Sequence, residues 1–67
     1  MEALVTYSMD CPVDSLKLDL KDRGLEVKLE IPEIQLIVVE GAEHQIQVLE
    51  QMPDIVRVER SNTVHAL

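Results

Sequence analysis

The stretch that decides the fold is LEVKLEIPEIQLIVVE, residues 25–40. Its first half alternates apolar and charged residues, which is typical of a strand with one buried and one solvated face. The expected buried set is Leu25, Val27, Leu29 and Ile31, and the expected solvated set is Glu26, Lys28 and Glu30. Pro32 and Glu33 interrupt this strand, and a second strand over residues 34–40 follows with an unbroken apolar run. Because the connection is short, the two strands are expected to pair as an antiparallel hairpin.

A helix is predicted before the hairpin. Asp10 is available as its N-cap, Pro12 suits the first turn, and Gly24 is a natural stop. The apolar face of this helix would contain Val13, Leu16 and Leu20. Leucines also alternate over residues 16–20, which leaves a strand open as an alternative. The agreement of the start and stop signals favours the helix.

A second helix is predicted after the hairpin, over residues 42–52. Glu43 favours its start, and Pro53 is expected to end it because a proline ring clashes with the preceding turn. Its apolar face would contain Ala42, Ile46, Leu49 and Met52. Two further strands, over residues 3–8 and 55–59, complete the predicted elements.

The resulting element order is βαββαβ. Two right-handed crossovers that flank a hairpin predict a four-stranded antiparallel sheet with both helices on one face, the α+β ferredoxin-like fold. Residues 1–61 would form this domain and residues 62–67 an extended C-terminal tail. The other face of the sheet is then uncovered, so it requires solvent, a second subunit or another protein. The fold by itself assigns no function.

Composition and charge argue against several classes of function. Thirteen acidic residues against six basic ones give a net charge of −7, which disfavours nucleic acids and anionic membranes as partners. A chain of 67 residues with Tyr7 as its one aromatic residue must build an aliphatic core, so we expect a stability of only a few kcal/mol. The single cysteine, Cys11, excludes an internal disulfide. No segment resembles a membrane span or a signal peptide.

The C-terminal third carries the clearest functional pattern. Residues 49–59 predict a helix end, a short turn with proline and aspartate, and a strand that closes with Val-Glu at 58–59. A polar stretch follows, and the chain ends in His-Ala-Leu at 65–67. This segment resembles the end of a subtilisin propeptide. The βαββαβ order is also the fold of that family.

The resemblance implies a function as a folding chaperone and inhibitor of a subtilisin-type serine protease, acting in cis or in trans. The open sheet face would pack on two parallel surface helices of the enzyme, and the tail would lie in the substrate groove in the manner of a product. Leu67 would then occupy the first pocket, Ala66 the second position, the more exposed His65 the third and Val64 the apolar fourth. A groove that pairs with extended backbone accepts alternate side chains in this way.

Members of this family also carry acidic residues after the valine that cap exposed helix N-termini of the protease. Glu59 matches this pattern, and Ser61 offers a hydroxyl where an aspartate is common. Arg60 stands where an acid is common, and this departure bears on which protease is the partner. The resemblance leaves open whether the chain is cut from a secreted precursor or made alone in the cytoplasm.

Other functions compete with the inhibitor. The first is a regulatory or interaction module that forms a homodimer through the open sheet face. The second is a metal-binding domain, because residues 9–11 lie where such domains of the same fold carry a Met-x-Cys-x-x-Cys loop; Asp14 replaces its second cysteine, so we expect no metal or other cofactor. No Ser/His/Asp set or phosphate-binding loop is apparent, so we expect no enzymatic activity. His44 is expected to be a solvated surface residue.

Overall fold

The computed structural model describes residues 1–61 and contains a single four-stranded sheet, antiparallel throughout, with two helices. The strands are β1 (Glu2–Tyr7), β2 (Glu26–Ile31), β3 (Leu36–Glu40) and β4 (Ile55–Ser61). The helices are α1 (Val13–Asp22) and α2 (Glu43–Leu49), and a one-turn 3-10 helix, Pro32–Ile34, joins β2 to β3. The strand order across the sheet is β2-β3-β1-β4. The predicted α+β ferredoxin-like fold is therefore confirmed.

The core lies between the helices and one face of the sheet. Alternate residues of β1 and β3 point into it, and the two helices contribute residues spaced three or four apart. The buried set is Ala3, Val5, Tyr7, Cys11, Leu16, Leu20, Leu25, Ile37, Val39, Ile46, Leu49 and Ile55. Each aliphatic side chain of this kind contributes roughly 1.5–3 kcal/mol when fully buried. Among the described residues no charged side chain is buried, so hydrophobic packing dominates the core.

Strand β2 differs from its prediction, because it does not keep one face buried. Val27 pairs with Val39, yet Leu29 pairs with Val38, so the strand contains one extra residue between the two pairs. This β-bulge at Lys28 reverses the alternation for the rest of the strand. Leu29 consequently lies on the face away from the helices and is 53% exposed.

The helix ends also correct the sequence prediction in part. Pro12 occupies the N-cap position of α1 and no side chain caps this helix, so the prediction of Asp10 as the cap was wrong. The backbone N–H of Asp10 instead donates to Ser8 Oγ at 3.2 Å. Helix α2 ends at Leu49, well before Pro53, and Met52 lies in the turn that follows.

Helix α1 stops just before Gly24, as predicted. This residue has a φ of +88°, which is accessible to glycine without the steric cost that a Cβ atom brings. The N–H of Gly24 donates to the carbonyl of Lys21 at 3.0 Å, and the N–H of Leu25 donates to the carbonyl of Leu20 at 3.0 Å. This pair of bonds is the Schellman motif, which satisfies the last carbonyls of a helix.

Gln45 connects the end of α1 to the start of α2. Its Nε2 donates to the carbonyl of Arg23 at 3.1 Å, and its Oε1 accepts the N–H of Ala42 at 2.7 Å. The second bond is half of a capping box, since alanine has no side-chain acceptor to complete it. A Cβ atom on Gly24 would lie 2.7 Å from this Nε2, which is closer than van der Waals contact. A larger residue at position 24 would therefore displace the side chain of Gln45.

We expect Gly24→Ala to destabilise the domain by about 1–2 kcal/mol, because a left-handed conformation strains alanine. The overlap with Gln45 adds to this cost. Urea unfolding of the purified chain measures the loss, with Ser15→Ala at an exposed position of α1 as the control. Adding Gln45→Ala separates the two causes, because it removes the overlap and leaves the strain. An unchanged unfolding midpoint for Gly24→Ala contradicts this account of the α1 terminus.

Two titratable groups lie in the core. Burial raises the pKa of the Cys11 thiol, and the adjacent Asp54 carboxylate raises it further by its charge and by accepting the thiol's hydrogen bond. Burial also raises the pKa of Tyr7, with a smaller contribution from the charge of Glu30. The folded chain therefore holds both groups in their neutral forms to higher pH than the unfolded chain does.

Stability should consequently fall at alkaline pH. The contribution of both groups is complete below their unfolded pKa values, about 8.5 and about 10, and is lost as the pH rises through the higher folded values. We expect the free energy of unfolding to decrease from pH 8 to pH 10, as measured by urea titrations at each pH. Cys11→Ala should delay the onset of this decrease, because tyrosine then titrates alone. Identical pH profiles for the two proteins would rule out a contribution from the thiol.

Candidate functional site

The sheet face away from the helices, here called the open face, has no covering element among residues 1–61. Its residues are those that alternate with the core positions of each strand. They form three cross-strand rows, and two of the rows are mainly apolar. The first row is Leu29, Val38 and Leu4, and the second is Ile31, Leu36 and Thr6. All six side chains are half-buried or exposed, and the five apolar ones offer a continuous surface with Thr6 at the end of the second row.

The third row of the open face is acidic. Glu26 pairs with Glu40, and Glu40 pairs with Glu2, so three carboxylates lie side by side on three strands. Lys28 lies beside this row, with its Nζ 3.3 Å from Glu40 Oε1 and 3.8 Å from Glu26 Oε2. The hydrogen bond to Glu40 and the neighbouring charges raise the pKa of Lys28. One lysine among three carboxylates leaves this end of the open face negatively charged.

Strand β4 supplies the polar side of the open face. Arg57 pairs in register with Thr6 and Glu59 with Leu4, and both side chains are exposed. Arg57 Nη2 and Glu59 Oε2 form an ion pair with each other. The predicted helix-capping residue Glu59 thus lies on the open face, next to its apolar rows.

The other predicted site residues are placed only in part. Ser61 is the last residue of β4 and pairs with Glu2, at the acidic end of the open face. The tail residues Val64, His65, Ala66 and Leu67 lie outside the described residues. Their assignment to protease pockets stays a prediction.

Arg60 lies on the opposite side of β4 from Glu59. Its Nε is 2.9 Å from Glu43 Oε2, and its Nη1 is 2.7 Å from Glu50 Oε2. These contacts hold the guanidinium on the helix side of the domain. Glu30 is also on the helix side, because of the bulge in β2, and accepts a hydrogen bond from Lys17 Nζ at 2.8 Å. The prediction of Glu30 as part of a solvated strand face was therefore wrong.

Sequence reasoning missed the apolar character of the open face. It treated the outward residues of β2 as charged, whereas the bulge at Lys28 places Leu29 and Ile31 there. A signal was present in β3, where the unbroken apolar run at 36–39 requires apolar side chains on both faces of the strand. No comparable signal marks the bulge.

A groove lies on the other side of the molecule, between α1 and β2. It encloses about 670 Å3 and is lined by the apolar residues Leu18, Leu25 and Val27. Lys17 and Lys21 lie at its rim, together with two acidic residues. The charged residues that line the groove are of both signs, so they indicate no particular charge for a bound small molecule.

In the loop that corresponds to the Met-x-Cys-x-x-Cys motif, the side chains of Met9, Cys11 and Asp14 lie in different environments. Met9 is 84% exposed, whereas the Cys11 thiol is buried and hydrogen-bonded to Asp54. The Asp14 side chain is 95% exposed and lies near Lys17. Within the described part of the chain, no group of three or more His, Cys, Asp or Glu side chains is arranged to hold a metal ion. In this same part, neither helix has the length and hydropathy that crossing a bilayer requires.

A comparison of the sequence with protein-family models finds no match, and a search among curated proteins finds no similar sequence.

Proposed function

We propose that this chain is a propeptide-like inhibitor and folding chaperone of a subtilisin-type serine protease. The open face would bind the surface of the enzyme, and residues 62–67 would enter its substrate groove. The observation that carries the proposal is the open face itself, where two apolar rows adjoin an acidic row. The sequence pattern of residues 49–67 and the ferredoxin-like fold support it.

The size of the open face favours a binding mode with two parts. Four strands about 4.8 Å apart and about six residues long cover a flat area of roughly 400 Å2. A specific, stable interface buries about 800 Å2 on each partner. The open face therefore supplies only about half of a standard interface. A further contact segment, such as the C-terminal tail, is needed for tight binding.

The route of the chain is compatible with this arrangement. Strand β4 is an edge strand, and its last residue, Ser61, pairs with Glu2 in the acidic row. The tail thus begins at the end of the open face that carries negative charge. A partner that meets both parts needs an apolar surface beside a region that attracts carboxylates, and the N-termini of helices have this property.

A homodimer through the open face is the second candidate, because its two apolar rows suit any apolar partner. The charge of the chain opposes it. Each copy carries a net charge of −7, and three of its carboxylates lie on the very surface that would meet its own copy. Repulsion between like charges disfavours this pairing, most strongly at low ionic strength.

Binding to the folded chain would also account for a chaperone role. A small domain with an aliphatic core has a stability of only a few kcal/mol. A partner that binds only the folded form adds to this stability by mass action. The same coupling works in both directions, so a folded propeptide domain stabilises the native surface of the protease that it binds.

We expect Leu67→Asp to weaken inhibition of a subtilisin by roughly tenfold or more, because an apolar pocket leaves the new charge unpaired. Inhibition is measured by titrating the intact chain against the protease, and slow recovery of activity through cleavage of the chain is expected. His65→Asp is the matched control, since the third position is the exposed one. Thermal unfolding should be the same for all three proteins. Unchanged inhibition by Leu67→Asp would contradict the placement of the tail in the groove.

We expect Leu29→Lys to weaken inhibition by roughly three- to tenfold, because it places a charge in the apolar rows at the contact with the protease. Leu29 is 53% exposed in the free chain, so folding should survive the change. Leu18→Lys is the matched control, since Leu18 is 64% exposed and lies on α1, on the far side of the sheet.

The effect of Leu29→Lys should add to that of Leu67→Asp, since the two sites make separate contacts. Sedimentation of each variant distinguishes the second candidate. If Leu29→Lys abolishes self-association and leaves inhibition unchanged, the open face serves a homodimer instead of a protease.

A further inference from the structure

We propose that Arg60 is a positioning residue, which fixes the end of β4 on α2 and so sets the point from which the C-terminal tail leaves the domain. The part of this inference that concerns inhibition rests on the proposed function. The attachment of β4 to α2 stands on the geometry of residues 1–61 alone.

The guanidinium of Arg60 bridges two carboxylates of one helix face. Glu43 is the first residue of α2 and Glu50 directly follows its last residue. They are two helical turns apart, so both project from the same side of the helix. Arg60 Nε donates to Glu43 at 2.9 and 3.2 Å, and its Nη1 donates to Glu50 at 2.7 Å. The planar fork of arginine is suited to hold two acceptors at once.

The position of Arg60 in the sheet explains why it reaches α2. Its register partner is Ala3, which is fully buried on the helix side of β1. The Arg60 side chain itself is only 27% exposed, although it carries a charge. A long aliphatic stem that covers the core while its charged end reaches the surface produces this degree of burial.

This contact matters because of where it falls in the chain. Strand β4 has a neighbour on one side only, and the ends of such strands open readily. Arg60 stands one residue before the end of β4 and two residues before the tail. By holding this end in place, it lowers the conformational entropy that the end of β4 would lose when a partner binds the chain there.

The contacts of Arg60 with α2 also give a physical reason for the departure from the family pattern. An acid is common at this position in the propeptides that the chain resembles, whereas Arg60 is directed to its own domain. Arg57 provides the contrast within β4. Its ion pair is with Glu59 on the same strand, so this pair does not connect β4 to another element.

The first test uses the free chain and needs no protease. Arg60→Gln should speed amide hydrogen exchange at residues 59–61 by roughly three- to tenfold, in line with the loss of two ion pairs. Exchange in β3 should not change. Arg23→Gln is the matched control, because it removes an ion pair with Asp19 on α1, away from β4. Arg60→Lys should give an intermediate rate, since an ammonium can hold one carboxylate as a point charge. Unchanged exchange at residues 59–61 in Arg60→Gln overturns the attachment of β4 to α2.

The second test is a double-mutant cycle on inhibition. Arg60→Gln should weaken inhibition of a subtilisin by roughly three- to tenfold in the otherwise unchanged chain, and should have no effect in the Leu67→Asp background, where the tail no longer binds. An equal loss in both backgrounds overturns a role through the tail. If the unaltered chain inhibits no subtilisin, the proposed function fails and with it this role in inhibition. The exchange experiment decides the attachment of β4 in either case.

Discussion

The placement of both helices on one face of the sheet is the constraint from which the rest of this structure follows. It allows a chain of 67 residues to bury a core of twelve side chains with short connections. It also leaves the other sheet face without cover from residues 1–61. A sheet whose inner strand β3 carries apolar side chains on both faces cannot bury all of its apolar surface in this way. The exposed remainder is the open face.

The bulge at Lys28 determines what that face contains. With regular alternation, β2 would present Glu30 to solvent and Leu29 to the core. The extra residue exchanges their positions, so that Glu30 meets Lys17 of α1 and Leu29 joins Val38 on the open face. One inserted residue thus converts a charged edge strand into part of an apolar surface.

The order of elements was predictable from sequence because local signals mark it. Gly24 ends α1, Pro32 separates β2 from β3, and the apolar spacing identifies the two helices. The bulge was not predictable, since no residue type at 27–29 distinguishes it from regular alternation. The contact of Arg60 with Glu43 and Glu50 was equally hidden, because it depends on the relative placement of β4 and α2. The tail pattern at 64–67 is visible in the sequence, but only its resemblance to propeptides suggests a function for it.

Charge and edge geometry together decide which part of the sheet is free to bind. Both edge strands, β2 and β4, contain a register shift, and both carry charged residues along their length. Bulged and charged edges pair poorly with further strands, so association by extending the sheet is disfavoured. The acidic row and the net charge of −7 likewise disfavour the pairing of two open faces. The proposed function therefore calls for a partner that presents an apolar surface beside positive charge or helix N-termini. Selectivity for a different protein over a second copy is what the proposed inhibitor role would require of an exposed apolar sheet face.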